Sequence, residues 1–139
     1  GQYKARVQRL LDQLPCRHLI VEGYLPPDKI AVLRLASDVY INAQTTDAFS
    51  ASVQEYLYAG SWLLNPVWLQ YDELSEWGVQ FQEYGDFQDI PQHIAGVLRH
   101  GLPDLSGNAF SLRDKTSWEA VKDRWLTALG SGTSETGPP

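Results

Sequence analysis

Apolar residues recur along this chain at two spacings, one typical of helices and the other of short buried strands. Residues 2–14 carry apolar side chains three and four positions apart, and Pro15 ends this predicted amphipathic helix. Further helices are predicted to begin near Pro27, Ser52, Tyr71, Asp89 and Ser117, and strands to span residues 18–21, 38–43, 62–65 and 79–82. This alternation predicts an α/β fold, with a Rossmann-like parallel sheet of about four strands flanked by helices.

Two other stretches lack such a pattern. Residues 101–107, which begin and end with Gly, are predicted to form a loop. From Gly130 onward the chain is mostly Gly, Ser, Thr and Pro, with hardly an apolar residue. We therefore expect one domain over residues 1–129 and a disordered tail over residues 130–139.

The segment from Thr45 to Gly60 is the most informative stretch for function. It reads as a polar loop, a short helix and a terminating Gly60, set between the predicted strands 38–43 and 62–65. Ser50 and Ser52 are both suitable helix caps, and Ser52 with Glu55 has the spacing of a capping box, so the helix is expected to begin near position 52. A helix start at the carboxyl edge of a parallel sheet is a common binding place for phosphate groups.

Composition narrows the classes of function. The formal net charge of −6 and the lack of a Lys/Arg cluster argue against a nucleic-acid-binding protein. No apolar run approaches the roughly 20 residues that span a bilayer, no signal peptide opens the chain, and a cytoplasmic location is expected. The single Cys16 excludes an internal disulfide. The start at Gly1 and the absence of Met indicate a fragment excised from a longer protein.

Asp47 and Glu55 are the leading candidates for chemistry. They lie eight positions apart, so both can face a ligand at the start of the helix. Asp47 can also be read as an ordinary loop acid and Glu55 as part of a helix cap. Ser50 and Ser52 allow the same two readings, as caps or as donors to phosphate oxygens. The three His residues lack the spacing of a metal site, so no metal is expected.

Several motifs follow one another along the chain: Gly23-Tyr24, residues 36–41, Asp47-Ala48-Phe49-Ser50, Glu55 and Gly60. Taken together, they resemble the carboxyl-terminal domain of GT-B-fold glycosyltransferases, in particular the retaining group that uses nucleotide-sugar donors. The resemblance covers roughly residues 18–100, and Ser117-Trp118-Glu119 is similar to the start of that family's last helix.

The resemblance implies a role for each matched residue. Asp47 would contact the hydroxyls of the donor sugar, and Glu55 would accept hydrogen bonds from the ribose. Tyr24 would lie near the base. The diphosphate would be held by the backbone amides of Phe49, Ser50 and Ala51. Ser52, read as a hydroxyl donor to phosphate oxygens, belongs to the same donor-binding set. No cofactor is implied, and the ligand would be a nucleoside-diphosphate sugar.

The chain also departs from that family. Asp47 stands where the family mostly has Glu, Ser50 replaces a usual Gly, and Trp62 replaces a common Pro. The domain's first two strands, with their basic pair, and the amino-terminal acceptor domain are absent from these residues. We therefore expect no sugar transfer by this chain alone. The alternative function is a non-catalytic α/β module, related to glycosyltransferases, that serves assembly or regulation.

The missing strands also affect the predicted topology. In the doubly wound order 3-2-1-4-5-6, the strand at 18–21 matches the third, and the strands at 38–43, 62–65 and 79–82 match the fourth to sixth. Unpaired backbone groups at the resulting gap are costly if they are buried. Either the strand at 18–21 moves beside the one at 38–43, or another chain pairs with that edge in a homodimer.

Overall fold

The centre of the molecule is a small parallel sheet. The computed structural model describes residues 1–130, in which β1 (Val39–Ile41), β2 (Trp62–Pro66) and β3 (Gln82–Tyr84) pair in the order β1-β2-β3. Tyr40 lies opposite Leu63, and Asn65 lies opposite Glu83. All five residues of β2 are buried, as expected for the middle strand of a sheet covered on both faces.

Helices connect and flank the strands. One helix lies between β1 and β2 and one between β2 and β3, so each connection crosses over between parallel strands. A single 3₁₀ turn, Phe87–Asp89, leads into the first helix after the sheet. The helices are α1 (Gln2–Leu11), α2 (Pro27–Leu35), α3 (Ala51–Tyr58), α4 (Asp72–Glu76), α5 (Ile90–His100), α6 (Asn108–Thr116) and α7 (Trp118–Gly130).

The side chains of β2 alternate between two apolar layers. Leu63 points to a core shared with Val53 and Leu57 of α3, Leu74 of α4 and Leu112 of α6. Its neighbours Trp62 and Leu64 point to the other face, where Ile90, Ile94 and Val97 of α5 pack. This period of two fixes α3 and α5 on opposite faces of the sheet.

The strand predicted at residues 18–21 is not formed, and the sheet within residues 1–130 has three strands rather than about four. These residues are irregular, and Leu19 is 82% exposed. The segment lies along α1, where Lys4 pairs with Glu22 at 2.7 Å. An isolated apolar run gains nothing from an extended conformation unless a neighbouring strand accepts its hydrogen bonds. The 18–21 segment therefore does not fill the free edge of β1, and pairing of that edge with another chain stays a prediction.

The last strand begins later than predicted. It starts at Gln82 rather than Val79, because Val79 is buried in the α3 core and the backbone of Gln80 is used elsewhere. The side chain of Asn108 accepts from the Gln80 N–H at 2.7 Å and donates to the Gln80 carbonyl at 2.8 Å. These two bonds replace the strand pairing of Gln80.

Other predicted boundaries agree more closely. α1, α2, α5 and α7 lie where the apolar spacing predicts helices, and Gly60 follows α3 with a φ of 95°, which a residue with a Cβ rarely adopts. α6 was not predicted at all. The predicted tail begins at Gly130, which instead ends α7, and residues 131–139 lie outside the described residues. Within residues 1–130, no helix combines the length and apolarity needed to cross a membrane.

Candidate functional site

The loop after β1 is fixed to the core at its first residue. Asn42 is 1% exposed, and its side-chain amide donates to Oδ1 of Asn65 at 3.2 Å and to the Tyr71 hydroxyl at 3.3 Å. Its carbonyl accepts a 2.6 Å hydrogen bond from the hydroxyl of Tyr84. Farther along the loop, the indole N–H of Trp68 donates to the Gln44 carbonyl at 3.0 Å. The loop that carries the predicted site is therefore attached to the sheet and, through Trp68, to the turn that follows β2.

Asp47 lies in this loop and is half-buried. Its Oδ2 atom accepts a 3.0 Å hydrogen bond from the Tyr71 hydroxyl. Burial, followed by this hydrogen bond to Asp47, raises the pKa of Tyr71 to about 12. Tyr71 is therefore a neutral donor at physiological pH and orients the carboxylate of Asp47.

Phe49 anchors the end of the loop with its side chain. Its ring packs at 5.2 Å from that of Tyr71 and at 5.9 Å from that of Trp77, beside the core under α3. The ring therefore serves packing, and the backbone amide is the part of Phe49 left for the phosphate contact implied by the resemblance.

The cap of α3 is Ser50 and not Ser52. The Ser50 hydroxyl accepts from the N–H of Val53 at 3.3 Å, and the helix begins at Ala51. Ser52 lies within the first turn and is half-buried. The Ser52–Glu55 capping box is not formed, because Glu55 reaches sideways to another helix. Because α3 begins at Ala51, the first backbone amides, which have no partner within the helix, lie at Ser50 and Ala51.

Glu55 forms an ion pair with Arg34 of α2, through Oε2 and Nη2. The Arg34 guanidinium also lies 5.9 Å from the centre of the Tyr56 ring, which stacks on Tyr40 at 4.2 Å and 6°. The Arg34 side chain is 21% exposed and that of Glu55 is 48% exposed. Glu55 is thus held in one place by its partner and keeps enough accessible surface to accept further hydrogen bonds.

The charges of Arg34 and Asp47 both act on the side chain of Tyr40 in β1. Burial is the main cause of a raised pKa at Tyr40, and the charges of Tyr56 and Asp47 raise it further, while Arg34 lowers it. Tyr40, the middle residue of β1, therefore lies within electrostatic reach of both Asp47 and Arg34.

A groove of about 510 Å³ runs along α3. Its walls are mostly apolar, and the Arg34–Glu55 pair supplies its charge. The groove is formed by three helices, with Arg34 and Leu35 from α2, Ala51, Glu55 and Tyr58 from α3, and Leu112 from α6. Its volume lies within the range of small-molecule sites.

The structure thus brings together only some of the predicted residues. Ala51 and Glu55 share the groove, while Phe49, Ser50 and Asp47 lie ahead of it at the start of α3 and face their own protein partners. Tyr24 is 84% exposed and does not line the groove. Whether Asp47 and Glu55 contact one ligand stays a prediction.

Tyr58 and Arg34 line the groove and were not predicted as site residues from the sequence. Tyr58 could have been found, because it lies three positions after Glu55 and seven after Ala51, on the same helical face. Arg34 carried no such signal, since its contact with Glu55 depends on how α2 packs beside α3. Among residues 1–130, no group of three or more His, Cys, Asp or Glu side chains could hold a metal ion.

Comparison of the chain with models of protein families, with curated proteins and with solved structures finds no match in any of the three. The candidate site is therefore defined by its geometry and by the motifs of the sequence.

Proposed function

We propose that this chain is the nucleotide-sugar donor-binding part of a glycosyltransferase, acting from the start of α3. The observation that carries the proposal is the position of Glu55. This carboxylate lies one turn into α3, at the wall of a groove large enough for a nucleotide, and is oriented by Arg34. A carboxylate with accessible oxygens is a suitable acceptor for paired ribose hydroxyls.

The start of α3 supports the phosphate part of the proposal. The first amides of a helix have no partner within that helix, and the helix dipole favours negative charge there. Ser50 caps the helix through the Val53 N–H, which leaves the amides of Ser50 and Ala51 for a diphosphate. A diphosphate leaving group gains charge during sugar transfer, so the same amides would stabilise it in the transition state.

Asp47 would orient the sugar. Tyr71 donates to its Oδ2, so Oδ1 would accept from a sugar hydroxyl. An acceptor-binding domain would have to supply the other substrate, and transfer therefore needs a partner that is not among the residues described. The same proposal extends to the fold. The three-stranded sheet would correspond to part of the Rossmann-like carboxyl-terminal half of a GT-B fold.

A second candidate function is supported by a separate observation. Within residues 1–130, α7 exposes large apolar side chains, with Trp118 64%, Trp125 57%, Leu126 63% and Leu129 69% exposed. Extended apolar surfaces of this kind are typical of protein contacts. They favour a non-catalytic module that serves assembly or regulation.

Isothermal calorimetry with ADP, GDP and UDP tests the proposal. We expect weak, saturable binding of at least one nucleoside diphosphate, reduced by Glu55→Ala by about 1 to 3 kcal/mol because a ribose acceptor is lost. Glu76→Ala on α4 is the matched control, since Glu76 is exposed and lies outside the groove. Equal affinity in folded Glu55→Ala would contradict the ribose role. No binding by the native protein would favour the second candidate.

A further inference from the structure

One face of α3 carries a sequence of different chemical groups along the groove. Ala51, Gln54, Glu55 and Tyr58 all line it, at spacings of three, four and seven residues that share a helical face. With a rise of 1.5 Å per residue, Glu55 lies about 6 Å and Tyr58 about 10 Å beyond Ala51 along the axis. The groove therefore begins beside the first residue of α3 and continues past a carboxylate to an aromatic side chain.

A nucleoside diphosphate has the same order of parts. Its phosphates suit backbone amides, its ribose hydroxyls suit a carboxylate, and its base suits an aromatic face. Tyr58 is 54% exposed, so about half of its surface is accessible to a ligand. Leu35, on α2, lines the same groove and is 73% exposed. Tyr58 marks the end of the groove that lies farther from the start of α3, and Leu35 adds accessible apolar surface to the same groove.

We infer that the nucleobase binds at this end of the groove, stacked on Tyr58 and in contact with Leu35. The inference rests on the proposed function and changes where the base lies, because the family resemblance implies Tyr24 instead. Tyr24 is 84% exposed and outside the groove. The side-chain amide of Gln54, one turn before Tyr58, offers both a donor and an acceptor to the edge of a base. Arg34 acts here as a positioning residue, since its ion pair holds Glu55 between the two ends.

Three alanine variants at exposed tyrosines test this placement by calorimetry with the best-binding of ADP, GDP and UDP. Tyr58→Ala removes the proposed stacking face, Tyr24→Ala removes the alternative one, and Tyr3→Ala on α1 is the control. Base stacking on an aromatic residue contributes enough that Tyr58→Ala should weaken binding roughly 5- to 150-fold. Tyr3→Ala should leave the affinity unchanged. Circular dichroism would verify that each variant is folded.

Inorganic pyrophosphate is the second probe, since it has no base. Its binding should be the same in Tyr58→Ala as in the native protein, which separates loss of stacking from a distorted helix. Nucleotide binding that is weakened by Glu55→Ala but not by Tyr58→Ala would overturn this inference and leave the proposed function standing. Nucleotide binding that is weakened by Tyr24→Ala but not by Tyr58→Ala would likewise overturn this inference and leave the proposed function standing. Absence of any nucleotide binding by the native protein would overturn both.

Discussion

The hydroxyl of Tyr71 donates a 3.0 Å hydrogen bond to the carboxylate of Asp47, across 24 residues of sequence. Tyr71 is 5% exposed and in turn accepts from the side-chain amide of Asn42, the buried residue just after β1. Asp47, the acid predicted from the sequence, is thus connected to the core by two consecutive hydrogen bonds. The loop between β1 and α3 is consequently held in place without a bound ligand.

Replacement of Tyr71 by Phe should reveal this connection in the pH dependence of stability. Because the pKa of Tyr71 is raised to about 12 from 10.0, the unfolded chain loses this proton more readily than the folded one. The contribution of Tyr71 to stability is therefore complete below pH 10 and is lost as the pH rises towards 12. We expect Tyr71→Phe to lower the free energy of unfolding at pH 8 by about 1 to 3 kcal/mol and to flatten its decline above pH 10.

Urea unfolding at pH 8, 10 and 11 measures both effects. Part of the alkaline decline should remain in the variant, because burial also raises the pKa values of Tyr40 and Tyr84. Tyr3→Phe, at a position 82% exposed, controls for the loss of a tyrosine as such. An unchanged decline above pH 10 in Tyr71→Phe would show that the hydroxyl does not contribute in this way.

The two serines at the start of α3 should differ in their effect on stability. Ser50→Ala removes the side-chain cap on the Val53 N–H and should cost about 1 kcal/mol. Ser52→Ala changes a residue inside the helix, where Ala has the higher helix propensity, and should cost nothing measurable. Thermal or urea unfolding of the two variants measures both losses of stability. A larger loss in Ser52→Ala would restore the capping box predicted from the sequence.

Asn108 should be important to stability although it lies outside the candidate site. Its side chain is 1% exposed and satisfies both backbone groups of Gln80, so Asn108→Ala leaves a donor and an acceptor without their partner. We expect a loss of about 2 to 3 kcal/mol in the free energy of unfolding. Gln92→Ala, at an exposed position on α5, is the control. A loss equal to that of the control would mean that water replaces both bonds.

The sequence predicts the parts of this fold that depend on local pattern. The apolar spacing locates α2, α5 and α7, and Gly60 marks the end of α3, because helix faces and positive φ angles follow from nearby residues. The strand at 18–21 fails because an apolar run says nothing about whether a partner strand exists. β3 is displaced because one distant side chain, Asn108, takes the backbone bonds of Gln80.

The candidate site likewise contains some residues that the sequence identifies and others that it does not. Asp47, Ser50 and Glu55 are recognised from their spacing around a helix start, whereas their partners Tyr71 and Arg34 are 24 and 21 positions away from Asp47 and Glu55. Such pairs depend on how the elements pack, which periodicity does not encode. The groove beside α3 is likewise a product of packing among α2, α3 and α6.

The central claim is that a nucleotide binds along α3, and an NMR titration of the ¹⁵N-labelled protein with UDP, ADP and GDP tests it most directly. We predict saturable shifts for the amides of Phe49, Ser50, Ala51 and Glu55. The amides of α5 should not shift, because this helix packs on the opposite face of the sheet. Saturable shifts confined to α5 or α7, or no saturable shift with any of the three nucleotides, would contradict the claim.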